Sequence, residues 1–165
     1  MKISRSKPSP ARRLAYSFLA FVAGEAILLV YLVGNALHER AMLIAVHMGE
    51  PARQVPMALE LFALYTSFAF VGWLLVGVPV VLFCSPTFIV GLSWPLRLVM
   101  GTALGPLSLF LVLLLLMLRI HTLSVLTLMG GFPSVFSIVI SLPAFLVYAE
   151  LLRRDVERRI DTSRI

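Results

Sequence analysis

Glu25 is the first side chain in this sequence that could do chemistry. It lies near the middle of an apolar segment, Leu14 to Leu37, in which no other residue is charged. An ionised carboxylate at the centre of a membrane costs at least about 2.5–3.5 kcal/mol. No apolar segment offers a lysine or arginine away from its ends to neutralise it. We therefore expect a protonated, hydrogen-bonded carboxyl group.

Ser108 and Ser141 are the predicted partners of Glu25, because counting from the predicted helix ends places all three at a similar depth. A cluster of this kind has three interpretations: a structural hydrogen bond between helices, a proton-coupled or substrate-binding site, and a contact with a basic residue of another protein. We favour the structural interpretation and keep the other two open.

The three histidines, His38, His47 and His121, are candidate metal ligands. Three imidazoles are enough for a metal site, and two can hold a haem iron. The spacing of His38 and His47 matches no metal-binding motif, and none of the three falls within a predicted span. We expect solvated loop histidines and no cofactor.

Gly101 and Gly105 form a G-x-x-x-G motif, which allows a second helix to approach closely. Ser137 and Ser141 repeat the spacing of small residues in a later segment. The motif serves either packing within the chain or a seam between copies, and we favour the first.

Signatures of several protein classes are missing from the sequence. There is no G-x-S-x-G, H-E-x-x-H or phosphate-loop motif, so we expect the protein not to be an enzyme. The single cysteine, Cys84, excludes an intrachain disulfide and a cysteine-rich zinc site. The net charge is +6, but the basic residues gather at the chain ends beside apolar segments, so we expect no nucleic-acid partner.

The elements that must position these residues are membrane helices. Hydrophobic residues make up 60% of the 165 residues and charged residues only 13%, which is too apolar for a soluble domain of this size. We predict an all-α integral membrane protein with four spans, because each apolar segment approaches or exceeds the ~20 residues that cross a bilayer. The predicted spans are 14–37, 58–83, 98–118 and 133–150.

Segments outside these spans carry their own predictions. Residues 1–13 are predicted to be a flexible basic arm, and residues 151–165 a charged tail that begins as an amphipathic helix. The stretch from Ala36 to Val46 either prolongs the first helix or lies on the membrane surface. The apolar run within residues 84–97 is too short to cross the bilayer, and Trp94 is predicted to be an interfacial anchor. Before the fourth span we predict an interfacial segment at 122–129. The alternative is that the fourth helix is one long broken helix that begins at Thr122.

The distribution of Lys and Arg predicts how the chain is oriented in the membrane. Eleven of the fourteen Lys and Arg residues lie in the arm, the tail and the loop around Arg97. Because cytoplasmic loops are rich in Lys and Arg, both termini are predicted to be cytoplasmic, in the inner membrane of a bacterium. A basic start before an apolar run also describes a signal peptide, but the run is longer than a signal core and no clean cleavage site follows.

The expected function is that of a non-catalytic accessory or assembly subunit, whose partners are the bilayer and either another membrane protein or further copies of this chain. The alternative is a small proton-coupled transporter or channel that uses Glu25. A glutamate inside the first of four helices is similar to the arrangement in small multidrug exporters. This chain is longer, however, and its later helices match no motif of those proteins.

Overall fold

The computed structural model describes residues 8–47, 49–120 and 132–162. They are helical apart from short connections, and no strand occurs among them. The helices are α1 (Pro10–Ala45), α2 (Gln54–Gly72), α3 (Val78–Phe83), α4 (Pro86–Gly91), α5 (Trp94–Ile120) and α6 (Phe132–Thr162). Four stretches are long and apolar enough to cross a membrane: Pro10–Ala45, Pro51–Phe83, Trp94–Leu116 and Val135–Arg159. The predicted all-helical architecture with four membrane-length helices is confirmed.

Helix α1 is longer at both ends than the predicted first span. Ser9 caps its start by accepting a hydrogen bond from the Arg12 backbone N–H at 3.4 Å, and Pro10 suits the first turn. The predicted flexible arm is therefore too long, because residues 10–13 are helical. At the far end the stretch from Ala36 continues the helix to Ala45. At 36 residues α1 is ~54 Å long and extends well beyond a ~30 Å hydrocarbon core.

The second long helix contains a π-helical segment, Trp73–Gly77, which joins α2 to α3 without leaving helical geometry. The Val78 backbone N–H bonds to the Trp73 carbonyl, five residues back. Pro79 follows directly and has no N–H to donate, and Gly77 has no side chain to meet the Trp73 ring. The sequence predicted an ordinary helix here; the wider turn is a feature that often marks functional sites.

Helix α4 lies at the end of the bundle where α1 begins and α6 ends, which we call the tail end. Ile89 is almost completely buried in a cluster with Val81, Phe145 and Leu152. Arg97 holds the connection into α5 by donating from Nη2 to the Val90 carbonyl at 2.7 Å and from Nε to the Leu92 carbonyl at 3.0 Å. Satisfying the last carbonyls of a helix in this way fixes its end.

Helix α6 is one continuous helix through the predicted fourth span and into the tail. It packs along α1 on one side and α5 on the other. The predicted interfacial segment at 122–129 and the alternative start at Thr122 lie outside the described residues. A second buried cluster, at the opposite end of the bundle, contains Leu28, Leu32, Ala36, Ala58 and Ile140.

Candidate functional site

Glu25 is buried between α1 and α2, and its partner is Thr66. The Thr66 hydroxyl donates to Glu25 Oε2 at 2.6 Å, and the other carboxyl oxygen, Oε1, is buried without a hydrogen-bond partner. The neighbouring Gly24 lets α6 come close, since a Cβ there would lie 2.5 Å from the Ile140 carbonyl oxygen. This turn of α1 therefore contacts α2 through Glu25 and α6 through Gly24.

The two serines predicted to contact Glu25 have other hydrogen-bond acceptors. Ser108 donates to the Gly105 carbonyl within α5 at 2.7 Å, and Ser141 donates across to the Gly101 carbonyl at 2.7 Å. Both serines line the central cavity described below, whereas Glu25 does not. The structure thus brings Ser108 and Ser141 to one cavity, whereas Glu25 pairs with Thr66, and neither member of that pair lines the cavity.

The G-x-x-x-G motif of α5 lies against α6. A Cβ at Gly101 would lie 2.9 Å from Leu142 Cδ1, and one at Gly105 would lie 2.5 Å from Ser141 Oγ. The Ser141 hydrogen bond to Gly101 crosses the same contact. Within the chain, the motif therefore serves close helix packing, as small residues do in membrane bundles.

The histidines are not gathered into a site among the residues that the structure describes. His38 is exposed on α1, and His47 follows the end of that helix with a positive φ of 53°. That left-handed conformation turns the chain out of the helix. The described residues contain no group of three or more His, Cys, Asp or Glu side chains that could hold a metal ion. His121 lies outside the described residues, so the expectation that the three histidines are solvated and hold no metal stays a prediction.

A cavity of about 130 Å³ lies between the four long helices. Its walls run from Ser137 to Tyr148 along α6, a length of roughly 17 Å at 1.5 Å per residue. Most of the lining side chains are apolar, and serine and tyrosine hydroxyl groups lie among them. A cavity of about 150 Å³ takes a benzene-sized molecule, so this one has room for a small apolar group.

Trp73, the first residue of the π-helical segment, forms part of the cavity wall. Its indole N–H donates to Ser17 Oγ on α1 at 2.9 Å. Its ring stacks near Phe70 at 5.9 Å and lies 5.7 Å from Phe21, measured between ring centroids. The π-helical segment therefore carries Trp73, which joins the second long helix to α1 at the cavity through one hydrogen bond and one aromatic contact.

Two buried polar groups stand near the tail end of the cavity; Tyr148 is one of its lining residues, and Arg13 is not. Tyr148 is 4% exposed, and its hydroxyl has no hydrogen-bond partner among the described residues. Arg13, one turn before Ser17, is buried; it donates from Nη2 to the Cys84 carbonyl, while its Nε is also unpartnered. The Arg13 guanidinium is the polar neighbour of the Tyr148 hydroxyl and is close enough to interact with it. No described carboxylate forms an ion pair with Arg13.

Thr66, Arg13, Trp73 and Tyr148 were not identified from the sequence. A signal for Thr66 existed, because two helices joined by a short connection pack antiparallel and the second span is the nearest source of partners for Glu25. The other three carry no motif, since they come from distant parts of the chain and become neighbours only in the folded bundle.

Comparisons with known proteins add no identification. No family model, no curated protein and no solved structure matches this chain. The proposals below rest on the geometry of the described residues.

Proposed function

We propose that this protein is a non-catalytic accessory or assembly subunit of a larger membrane complex, in the inner membrane of a bacterium with both termini in the cytoplasm. The observation that carries this proposal is the outer face of α6 beyond Glu150. The opposite face is buried, with Leu152 and Asp155 packed inward. The helix is therefore held in a fixed direction while its charged face is left outside.

That outer face is ordered by a network of ion pairs. Arg153 donates to both oxygens of Glu150 at 2.9 Å and to Glu157 at 3.1 Å, and Arg154 donates to Glu150 at 2.8 Å. Exposed pairs of this kind contribute only about 0–1 kcal/mol to stability. Their effect is to hold long side chains in one arrangement, which lowers the entropy cost of binding a partner.

The lysine and arginine count supports a cytoplasmic position for this face. Eleven of the fourteen basic residues lie on the tail side, and such residues accumulate in cytoplasmic loops. A partner of complementary charge would then meet α6 just outside the bilayer.

Purification in mild detergent tests this proposal. A tag after Ile165 should be reached only from the cytoplasmic side, and should retrieve one membrane-protein partner in stoichiometric amount. Replacing Arg153 and Arg154 by glutamate should remove that partner, because the charge of the face is inverted. Arg53→Glu, at an exposed arginine of the opposite end, is the matched control and should keep it. An unchanged complex in the double variant would contradict the docking role.

A second candidate function, a proton-coupled transporter or channel, is favoured by one observation. Glu25 Oε1 is buried without a hydrogen-bond partner, one helical turn from Phe21 in the cavity wall. A buried carboxyl group with an unpaired oxygen, one helical turn away from the cavity wall, is suited to taking up and releasing a proton.

Variants of Glu25 separate the two functions. In the accessory role, Glu25→Gln keeps an oxygen that can accept from Thr66, so stability and assembly should change by less than about 0.5 kcal/mol. Glu25→Ala removes the hydrogen bond and should destabilise by about 0.5–2 kcal/mol in detergent unfolding. Ser67→Ala, whose hydroxyl bonds to its own helix on the exposed side, is the control. A folded, assembled Gln variant that has lost all biological activity would establish the proton-coupled role instead.

A further inference from the structure

An open groove of about 430 Å³ lies on the outside of the bundle at its tail end, between the start of α5 and the later part of α6. It shares no lining residue with the central cavity. The groove is lined by Trp94 and Arg97 of α5 and by Leu146, Val147, Glu150, Leu151 and Arg154 of α6. Apolar, aromatic and charged side chains therefore share one accessible surface.

The groove lies where both helices change from apolar to charged. In α6, residues 132–149 include no charged side chain, and Glu150 begins the charged part. In α5, Arg97 is the last charged residue before the apolar run 98–118. Such a change marks the surface of the hydrocarbon layer, and Trp94, which is 60% exposed, is a residue type that prefers this depth. In a bilayer the groove is therefore filled by a lipid, and its charges decide which lipid binds best.

The charges of the groove favour an anionic headgroup. Arg97 donates from Nε and Nη2 to two backbone carbonyls, and no carboxylate in the described part of the chain forms an ion pair with it. Arg154 donates from Nε to Glu150, and its side chain is 66% exposed. Both oxygens of Glu150 also accept from Arg153. The one carboxylate of the groove is therefore occupied, while two guanidinium groups keep N–H donors for a phosphate.

We propose that this groove is a binding site for an anionic phospholipid, with the phosphate against Arg97 and Arg154 and the start of one acyl chain along Leu146, Val147 and Leu151. The phosphate accepts charge-assisted hydrogen bonds from the two guanidinium groups. A zwitterionic phospholipid also carries an ammonium group, for which the groove has no free carboxylate. The anionic lipid therefore binds in preference to the zwitterionic one.

Native mass spectrometry of the purified full chain in detergent tests this preference. The chain is freed of lipid and then titrated with equal amounts of phosphatidylglycerol and phosphatidylethanolamine that carry the same acyl chains. We expect one phosphatidylglycerol to bind saturably and at least about tenfold more tightly than phosphatidylethanolamine. Equal binding of the two lipids would overturn the proposal. Inorganic phosphate at the concentration of the lipid should not displace it; displacement would show that the site takes a free anion and would overturn the acyl-chain contact.

Three variants test where the lipid binds. Arg97→Gln and Arg154→Gln each remove one guanidinium group and should each lower the preference to about threefold or less. Arg153→Gln makes the same change of charge beside the groove, at a residue that does not line it, and should keep most of the preference. An equal loss in all three variants would show that the net charge of the tail end attracts the lipid without a groove site. Because Arg97 also holds the connection into α5, the exposed Arg154 decides the result if Arg97→Gln lowers the thermal midpoint.

The lipid site and the docking role can fail separately. The docking test retrieves a partner protein, whereas this test counts lipid molecules on the chain alone. Arg154 belongs to both surfaces, but Arg97 lies on α5 and not on the charged outer face of α6. Arg97→Gln should therefore lose the lipid and keep the partner. Retention of the lipid by both Arg97→Gln and Arg154→Gln would overturn the site and leave the docking proposal untouched.

Discussion

Gly105→Leu should separate α5 from α6 and destabilise the bundle by about 3 kcal/mol or more. A Cβ added at this position would lie 2.5 Å from Ser141 Oγ, so a larger side chain requires the helix axes to move apart. That movement also breaks the Ser141 hydrogen bond to the Gly101 carbonyl. The thermal or detergent-induced unfolding midpoint measures the loss.

Gly34→Leu is the matched control, because no atom lies within 4 Å of a Cβ built on Gly34 in α1. Leucine favours a helix more than glycine does, so this variant should be neutral or slightly stabilising. Equal midpoints for the two variants would show that α5 and α6 do not pack through Gly105.

Asp155→Ala should produce the second largest loss, about 1–3 kcal/mol. The Asp155 side chain is only 8% exposed, and its oxygens accept from Arg12 at 3.1 Å and from Arg159 at 3.3 Å. Removing it leaves two arginines without this carboxylate and releases the start of α1 from α6. The loss is smaller than for a fully buried pair because Arg12 is 57% exposed and stays hydrated.

Glu157→Ala serves as the control for Asp155, because Glu157 is an exposed partner in the same helix and its loss should cost less than about 0.5 kcal/mol. Combining Arg12→Ala with Asp155→Ala gives the coupling energy of the pair. A coupling energy near zero would show that the contact does not join the two helices.

The sequence was sufficient for the features that depend on local composition. Four apolar segments give four membrane-length helices, since hydropathy and length alone decide which segments can span. Glu150 and Arg154, and likewise Asp155 and Arg159, are four residues apart in the sequence and form ion pairs at 2.8 and 3.3 Å, because helical geometry brings such residues to one helix face.

Features that depend on how the helices meet were not predictable. Counting depth suggested serines for Glu25, but rotation about each helix axis decides which side chains face each other, and it placed Thr66 there. The contact between Arg12 and Asp155 joins residues 143 positions apart, which no local pattern specifies. The π-helical segment depends on Trp73, Gly77 and Pro79 acting together, whereas each alone is compatible with an ordinary helix.

Helix α6 runs without a break from the wall of the cavity to the charged outer face. Its residues from Ser137 to Tyr148 form one wall of the cavity, and the same rod continues for roughly 18 Å from Glu150 to Thr162. A tilt of about 5° at the wall carries the tip sideways by roughly 1.5 Å. A change in packing along the cavity wall would therefore displace the charged outer face of α6.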